Sequence, residues 1–351
     1  MGVIEAARGL LWARKRQPEQ VAYMVELSHE RFTPSDLLRQ AIEAEQAGFD
    51  GVCCSDHLAP WWVPSDETPA ACGNAWVWLG ALGQATKSVP IGTGVSALVH
   101  RYNLVVMAQQ LATLEELFPG RAFLGVGSGE AMNEVVAGLQ WPSPAEQLAR
   151  TEEALHIITR LLDGQTVTFD GQYFRTKDAR LYLRTQRRPP IYMSAFGPQA
   201  AEIAGRYAHG VWTLADPTTA PTVIAAYRRS AEKAGREAGE IILQAMMSWA
   251  PTDEAALEGA KEFEPTLVDD NYIIDLHTPE QVGATQSKVS DAKFKMAGIL
   301  SADPNTHVKK IKALEKMGAT TIVLMNMSGA DPHGTIKVYG QQVLPRLRNE
   351  A

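Results

Sequence analysis

A carboxylate, an imidazole and an indole stand close together in Ser55-Asp56-His57-Leu58-Ala59-Pro60-Trp61. They follow Gly51-Val52-Cys53-Cys54, a short apolar run that reads as a buried strand. In a barrel of parallel strands wrapped by helices, catalytic groups come from the carboxyl ends of the strands, while the strand bodies fill the core. A neutral imidazole can take the proton of an alcohol as hydride leaves its carbon, and a positioned base contributes about 10²–10⁴ in rate. His57 is therefore the candidate base. Asp56 is its sequence neighbour, but adjacent side chains on an extended segment point to opposite sides. Glu30 and Glu130, each at another inferred strand end, are the better partners.

A second stretch, Gly125-Val126-Gly127-Ser128-Gly129-Glu130-Ala131-Met132-Asn133-Glu134, follows a strand and opens a helix. Its glycines let a ligand approach the backbone, and Ser128, Glu130 and Asn133 offer polar contacts. The string does not satisfy G-x-G-x-x-G, the P-loop pattern or G-x-S-x-G, and a tight strand-to-helix turn is the competing reading. Ser194-Ala195-Phe196-Gly197-Pro198 joins a strand end, a glycine and a Pro that can start a helix. The free N–H groups of such a turn suit a phosphate, although an ordinary βα loop has the same residues. Trp61 and Trp62 could wall an aromatic ligand or cap a barrel. No H-x-E-x-H or H-E-x-x-H cluster is present, so no dedicated metal site is expected.

These groups need a scaffold that brings distant strand ends together. Short β-like runs alternate with longer helical patterns along almost the whole chain, which argues for βα units. In the first unit, Thr33-Pro34-Ser35-Asp36 supplies an N-cap and a Pro at the first helical position, and Gly48 ends the helix. Strands are expected at 21–27, 51–54, 90–95, 122–126, 190–194, 210–213, 241–245 and 320–324. Amphipathic helices fit at 74–87, 103–117, 145–163, 199–207, 220–236 and 305–317, with a last one at 335–347. The expected fold is α/β, a (β/α)8 TIM barrel over 21–351 with insertions at 164–186 and 262–300, preceded by an N-terminal extension over 1–20. Asp170-Gly171 between apolar residues marks the first insertion as a hairpin. A doubly wound open sheet is the rival architecture, but its glycine fingerprint does not follow the first strand.

Composition narrows the function. The 351 residues are 45% hydrophobic and 21% charged, enough for a large core. A formal charge of −7 with no long basic run argues against nucleic acid as a partner. Three cysteines, two of them adjacent in a strand, fit neither a disulfide framework nor zinc spacing, which points to a reducing cytoplasm. The apolar stretch at Leu10-Leu11-Trp12 is too short for a signal sequence, and no run approaches the roughly 18 apolar residues of a membrane span. A small-molecule substrate is the expected partner.

Taken together, the 55–61 string, Arg101-Tyr102-Asn103 and the Gly125 to Glu134 string resemble the luciferase-like flavin and deazaflavin oxidoreductases. More closely, they resemble the coenzyme F420-dependent glucose-6-phosphate dehydrogenase group. Recognisable strings run from residue 22 to 213, and the outline continues to 347. The resemblance implies a (β/α)8 barrel with coenzyme F420 in the top-face cavity, its ring supported by a bulge at a non-prolyl cis peptide after the third strand. The equivalent bond here is Gly94–Val95. Carried over by position, Asp56, Gly94, Val95, Ser128, Asn133 and Gly197 would bind the cofactor. His57 would abstract the hydroxyl proton, Glu130 would donate a proton near the deazaflavin N1, Trp61 would pack beside the reacting carbon, and Glu30 would face the substrate. Hydride would pass from the alcohol carbon to C5 of the deazaflavin, the protein supplying orientation, proton removal and charge stabilisation. The resemblance also implies a homodimer.

The sequence departs from the sugar-phosphate pattern where substrate choice is set. The position of that group's phosphate-binding lysine falls in Leu214-Ala215-Asp216-Pro217-Thr218, which has no Lys or Arg and adds an acid that would repel a phosphate dianion. Lys261, Lys288, Lys293 and Lys295 lie in or beside the second insertion and could compensate only if the fold makes them converge. The expected reaction is oxidation of a non-phosphorylated secondary alcohol. An F420-dependent sugar-6-phosphate dehydrogenase, an FMN-dependent monooxygenase and a non-catalytic cofactor-binding protein are the alternatives.

Overall fold

In the computed structural model, which describes residues 20–349, the first strand, Ala22–Leu27, leads into the helix Pro34–Ala47. Thr33 accepts a hydrogen bond from the Asp36 N–H, Pro34 occupies the first turn, and Gly48 closes the helix at φ +93°. Leu37, Ala41 and Ala44 form its buried face. The extension expected over 1–20 falls, but for Gln20, outside the described residues.

Seven more parallel strands follow the same grammar: Gly51–Cys54, Ile91–Ala97, Ala122–Gly127, Ile191–Ser194, Gly210–Leu214, Glu240–Ser248 and Thr321–Asn326. The first strand pairs with the second on one side and with Thr321–Asn326 on the other. The ring closes where Gly210–Leu214 pairs with Glu240 to Gln244. Closure excludes the open sheet and makes the fold a (β/α)8 barrel. A two-residue strand, Ile299–Leu300, pairs with Met247 and Ser248 past the end of the Gly210–Leu214 pairing.

Side chains alternate along each strand. Ala22, Met24, Cys53, Phe123, Tyr192, Trp212, Ile242 and Val323 fill the inside of the barrel, with Val95 packed against them. Residues on the other face meet the helices in the larger outer core. The third and fourth strands approach so closely that a Cβ on Gly125 would lie 2.2 Å from the Thr93 carbonyl oxygen, and one on Gly92 would lie 2.4 Å from that of Phe123.

The expected elements outside the repeat take specific forms. Val167–Asp170 and Arg175–Ala179 make an antiparallel hairpin. The expected helix at 335–347 instead starts at Pro332, because Asp331 caps it by accepting the Gly334 N–H at 2.7 Å. It continues through a π turn, Tyr339–Val343, into Leu344–Asn349. The 262–300 segment is part of a run of short helices that begins at Asp253–Glu258 and ends at Asp291–Ala297. Its Phe263, Val282, Val289 and Phe294 form an apolar cluster with Trp61, Trp62, Met132, Met246 and Met325, separate from the main core.

Candidate active site

The first and second strands end side by side, Leu27 opposite Cys54, and deliver Glu30 and His57 to the same rim. Glu30 is fully buried. Its Oε2 accepts from the hydroxyls of Ser28, at 2.8 Å, and Ser55. Its Oε1 accepts from the Trp61 indole N–H at 3.2 Å, and His57 Nε2 lies 3.7 Å from the same oxygen. Burial alone would push the Glu30 carboxyl up, but the His57 charge and the two hydroxyls outweigh it and hold it below the usual range.

The short helix Ala131–Glu134 at the end of the fourth strand brings Asn133 over this pair. Asn133 is fully buried, and its Oδ1 accepts the Leu58 backbone N–H at 2.8 Å. Its amide nitrogen lies 3.1 Å from both His57 Nδ1 and Glu130 Oε2. His57, Glu30, Trp61, Asn133 and Glu130 thus form one connected group. His57 also stacks obliquely on Trp61 with ring centroids 5.2 Å apart.

Asp56 turns away from His57 into a second, buried network. Its carboxylate accepts from Ser96 Oγ at 2.5 Å and from the Tyr102 hydroxyl at 2.9 Å, with Arg101 Nη2 at 3.4 Å. Arg101 also donates to the Asp56 carbonyl and pairs through Nε with Glu134 Oε1 at 3.0 Å. Burial pushes the Glu134 carboxyl up to about 7, partly offset by Arg101. Ser96 therefore ties the strand-two end to the bulge of strand three, and Arg101 ties it to the short helix after strand four. In that bulge the ladder slips between Thr93 and Ser96, and the Gly94–Val95 peptide is cis.

Beneath the rim, Glu26 faces the barrel interior. Gln244 Nε2 donates to Glu26 at 2.8 Å, and Trp212 Nε1 donates to Gln244 Oε1 at 2.8 Å. Burial, then the nearby Glu30 charge, pushes the Glu26 carboxyl well up. The Trp212 ring backs the bulge: a Cβ on Gly94 would lie 3.0 Å from it. Cys53 and Cys54 are buried and their thiols pushed up by that burial, which leaves them inert packing groups.

The short-helix segment roofs the site. Tyr272 lies 5.8 Å from Trp61 and 5.4 Å from Phe196, ring to ring, and its hydroxyl donates to the Thr266 carbonyl at 2.9 Å. Arg31, next to Glu30, holds the roof down through Glu262 at 2.9 Å. The lysines of the segment do not converge on the site. Lys261 pairs with Glu258, Lys288 with Asp270, Lys293 donates to the Leu267 carbonyl, and Lys295 is exposed.

Of the residues expected from sequence, Gly94 and Val95 sit at the bulge and Ser128 on the turn before Glu130. Gly197 caps the helix Pro198–Tyr207 without a side-chain hydrogen bond and faces open space. Sequence reasoning missed the parts played by Glu26, Arg31, Ser96, Gln244 and Tyr272. Glu26 carried a signal, an acid at an inward-facing position of an otherwise apolar strand. Among the described residues, no group of three or more His, Cys, Asp or Glu is placed to hold a metal ion, and no helix is long and apolar enough to cross a membrane.

Residues 10–321 match the luciferase-like monooxygenase family. An F420-dependent glucose-6-phosphate dehydrogenase of Microbacterium testaceum (strain StLB037) is 37% identical over 326 residues, covering 92% of this chain and 96% of that protein. The enzyme of the same name from Mycolicibacterium smegmatis is 32% identical over 331 residues, covering 92% and 97%. Among solved structures, an F420-dependent secondary alcohol dehydrogenase in complex with an F420-acetone adduct superposes with a TM-score of 0.89 at 32% identity, covering 94% of this chain and 100% of that one. By the extent of these matches, the chain belongs to the luciferase-like monooxygenase family, in its F420-dependent branch.

Proposed function

We propose that this chain is an F420-dependent dehydrogenase that oxidises a non-phosphorylated secondary alcohol to a ketone. The observation that carries the substrate class is the state of the cations around the site. Arg31 is committed to Glu262 and to the carbonyls of Pro69 and Glu67, and Arg101 to Asp56 and Glu134. The roof lysines Lys261, Lys288 and Lys293 are likewise engaged. After the sixth strand, Asp216 accepts from the Thr218 N–H and hydroxyl at 2.8 and 2.7 Å, a carboxylate held low where a phosphate would need a cation. Trp61, Tyr272 and Phe196 instead offer aromatic walls.

The residues present fit a deazaflavin cofactor. Glycines let the turn after the fourth strand close against the bulge: a Cβ on Gly127 would lie 2.8 Å from Val95 Cγ2, and one on Gly129 2.8 Å from Ala97 Cβ. The uncapped helix start at Gly197 offers N–H groups to a phosphate. When bound, coenzyme F420 supplies the hydride acceptor. In this reading Gly94, Val95, Ser128, Asn133 and Gly197 hold the cofactor, and Asp56 does so from behind the bulge through Ser96. Trp61 packs beside the reacting carbon, Glu130 supplies a proton to the ring, and the His57–Glu30 pair handles the hydroxyl and its proton.

The test is the visible absorbance of oxidised F420 mixed with purified protein and a panel of secondary alcohols, sugars and sugar phosphates. Bleaching with a neutral alcohol is expected. Bleaching with glucose 6-phosphate alone would overturn the substrate class and place the chain with its glucose-6-phosphate dehydrogenase relatives. Oxygen uptake with reduced FMN and no F420 bleaching would overturn the dehydrogenase reading.

A further inference from the structure

Asn133 is pinned in a way that decides which nitrogen of His57 carries a proton. The Leu58 backbone N–H can only donate, so the Asn133 atom facing it at 2.8 Å is the amide oxygen. The amide nitrogen, which can only donate, then faces His57 Nδ1 and Glu130 Oε2, both at 3.1 Å. A proton on Nδ1 would point at the N–H group of Asn133. Nδ1 therefore presents its lone pair, and in the neutral ring the proton sits on Nε2. Nε2 is the ring nitrogen with no hydrogen bond, 3.7 Å from Glu30 Oε1 and beside the Trp61 indole.

We infer that Asn133 is a positioning residue that fixes His57 as an Nε2–H donor, so that His57 holds the substrate oxygen and Glu30 takes the hydroxyl proton. The role in oxidation rests on the proposed function; the tautomer does not. On the 3.7 Å base between Nε2 and Oε1, a hydroxyl oxygen at an ordinary hydrogen-bond distance of about 2.8 Å from each atom stands at the apex of a triangle. There it accepts from Nε2–H and donates to Oε1. The step balances: the C–H bond gives its electron pair and hydrogen to the deazaflavin as hydride. The O–H electron pair becomes the carbonyl π bond, and the proton ends on Glu30. Before the step, the Ser28 and Ser55 hydroxyls favour the carboxylate form of Glu30, the form that can accept a proton, and the Trp61 N–H leaves Oε1 a lone pair to take it.

The first test needs neither cofactor nor substrate. In protein labelled with 15N-histidine, the His57 signals, assigned by difference from His57→Gln, should show a protonated Nε2 and a bare Nδ1. Asn133→Asp, which replaces the amide donor by an acceptor, should move the proton to Nδ1. A wild-type His57 protonated on Nδ1 would overturn the inference, whatever the substrate proves to be. The second test uses turnover. Glutamine at position 57 can donate but cannot serve as a base, so His57→Gln should retain turnover within about tenfold of wild type, while His57→Ala and Glu30→Gln each lose about 10²-fold or more. Equal loss in His57→Gln and His57→Ala, with Glu30→Gln nearly unaffected, would return the base role to His57 and sink this assignment. Absence of turnover in wild type with every alcohol would count against the substrate reading and leave the NMR result to stand.

Discussion

Replacing Arg31 by Met removes a guanidinium whose nitrogens are all engaged: Nε with Glu262 at 2.9 Å, and the other two with the carbonyls of Pro69 and Glu67 at 3.0 Å each. Side-chain exposure is 10% for Arg31 and 7% for Glu262. Breaking such a pair from one side costs about 3–5 kcal/mol when the charge left behind stays charged. Glu262 has another outlet, because burial already pushes its carboxyl up to about 7 against the pull of Arg31. Without the cation it holds a proton to still higher pH. At about pH 6, native Glu262 is neutral in both proteins and the variant loses mainly the two backbone contacts, about 2–4 kcal/mol. Above about pH 7, wild-type native protein sheds the proton and the variant keeps it, while both unfolded chains, near the ordinary value of about 4.3, have lost it. A native state holding a proton that the unfolded state lacks becomes less stable as pH rises, by about 1.4 kcal/mol per unit. Between about pH 7 and about pH 8.5 the deficit of the variant should thus grow by about 2 kcal/mol. At about 2 °C per kcal/mol, that is about 4 °C in Tm. Thermal melts at three pH values and fixed ionic strength measure it, with Arg31→Met/Glu262→Gln as the control whose gap to wild type stays flat above about pH 7. A deficit that is constant with pH, or that grows toward acid, refutes the argument.

Three other substitutions probe separate layers. Gly125→Ala should give no soluble protein, because the new Cβ meets the Thr93 carbonyl oxygen at 2.2 Å and neither backbone can yield; a folded variant with near-native Tm would contradict that packing. Trp212→Phe strands Gln244 Oε1, costing about 1–3 kcal/mol in urea unfolding, and should weaken F420 binding by loosening the support behind Gly94. An unchanged unfolding midpoint would show that the Glu26–Gln244–Trp212 chain contributes nothing. Asp216→Lys should raise kcat/KM for glucose 6-phosphate and leave that for a neutral alcohol within about twofold, since two like charges at about 4 Å repel by about 1 kcal/mol even in water. No gain on the phosphate would show that position 216 does not face it.

Much of the barrel was legible because its signals are local. Thr33, Pro34 and Gly48 cap one helix, and every strand is a short apolar run set between helical periods. The third strand runs on to Ala97 past its bulge, which no period announces. Residues 253–300 were opaque for a related reason. Helices such as Asp270–Ile273 and Pro279–Ala284 are too short to repeat a pattern. At the site, the meeting of Glu30, His57 and Trp61 follows from strand ends that must share one rim. The direction of Asp56 does not, because Ser96 and Tyr102, which turn it, are 40 and 46 residues away. Asn133 could be marked as polar near the site, but its hold on His57 spans 76 residues and is visible only in three dimensions.

The roof over the site is built from the least patterned part of the chain, yet Phe263 packs edge-on to Trp62 at 5.2 Å, and Val282 and Phe294 are fully buried in the same cluster. Wall and roof therefore solidify together. Divergence in this segment, the natural place for a lineage to try new substrates, is taxed by the same apolar contacts that keep the segment in place. A new substrate range should then arrive through coordinated changes, in which a larger residue in the roof is matched by a smaller one at Trp62 or Met325. Grafts of the segment between relatives should succeed when those wall residues travel with it, and fail as loosened proteins when they do not.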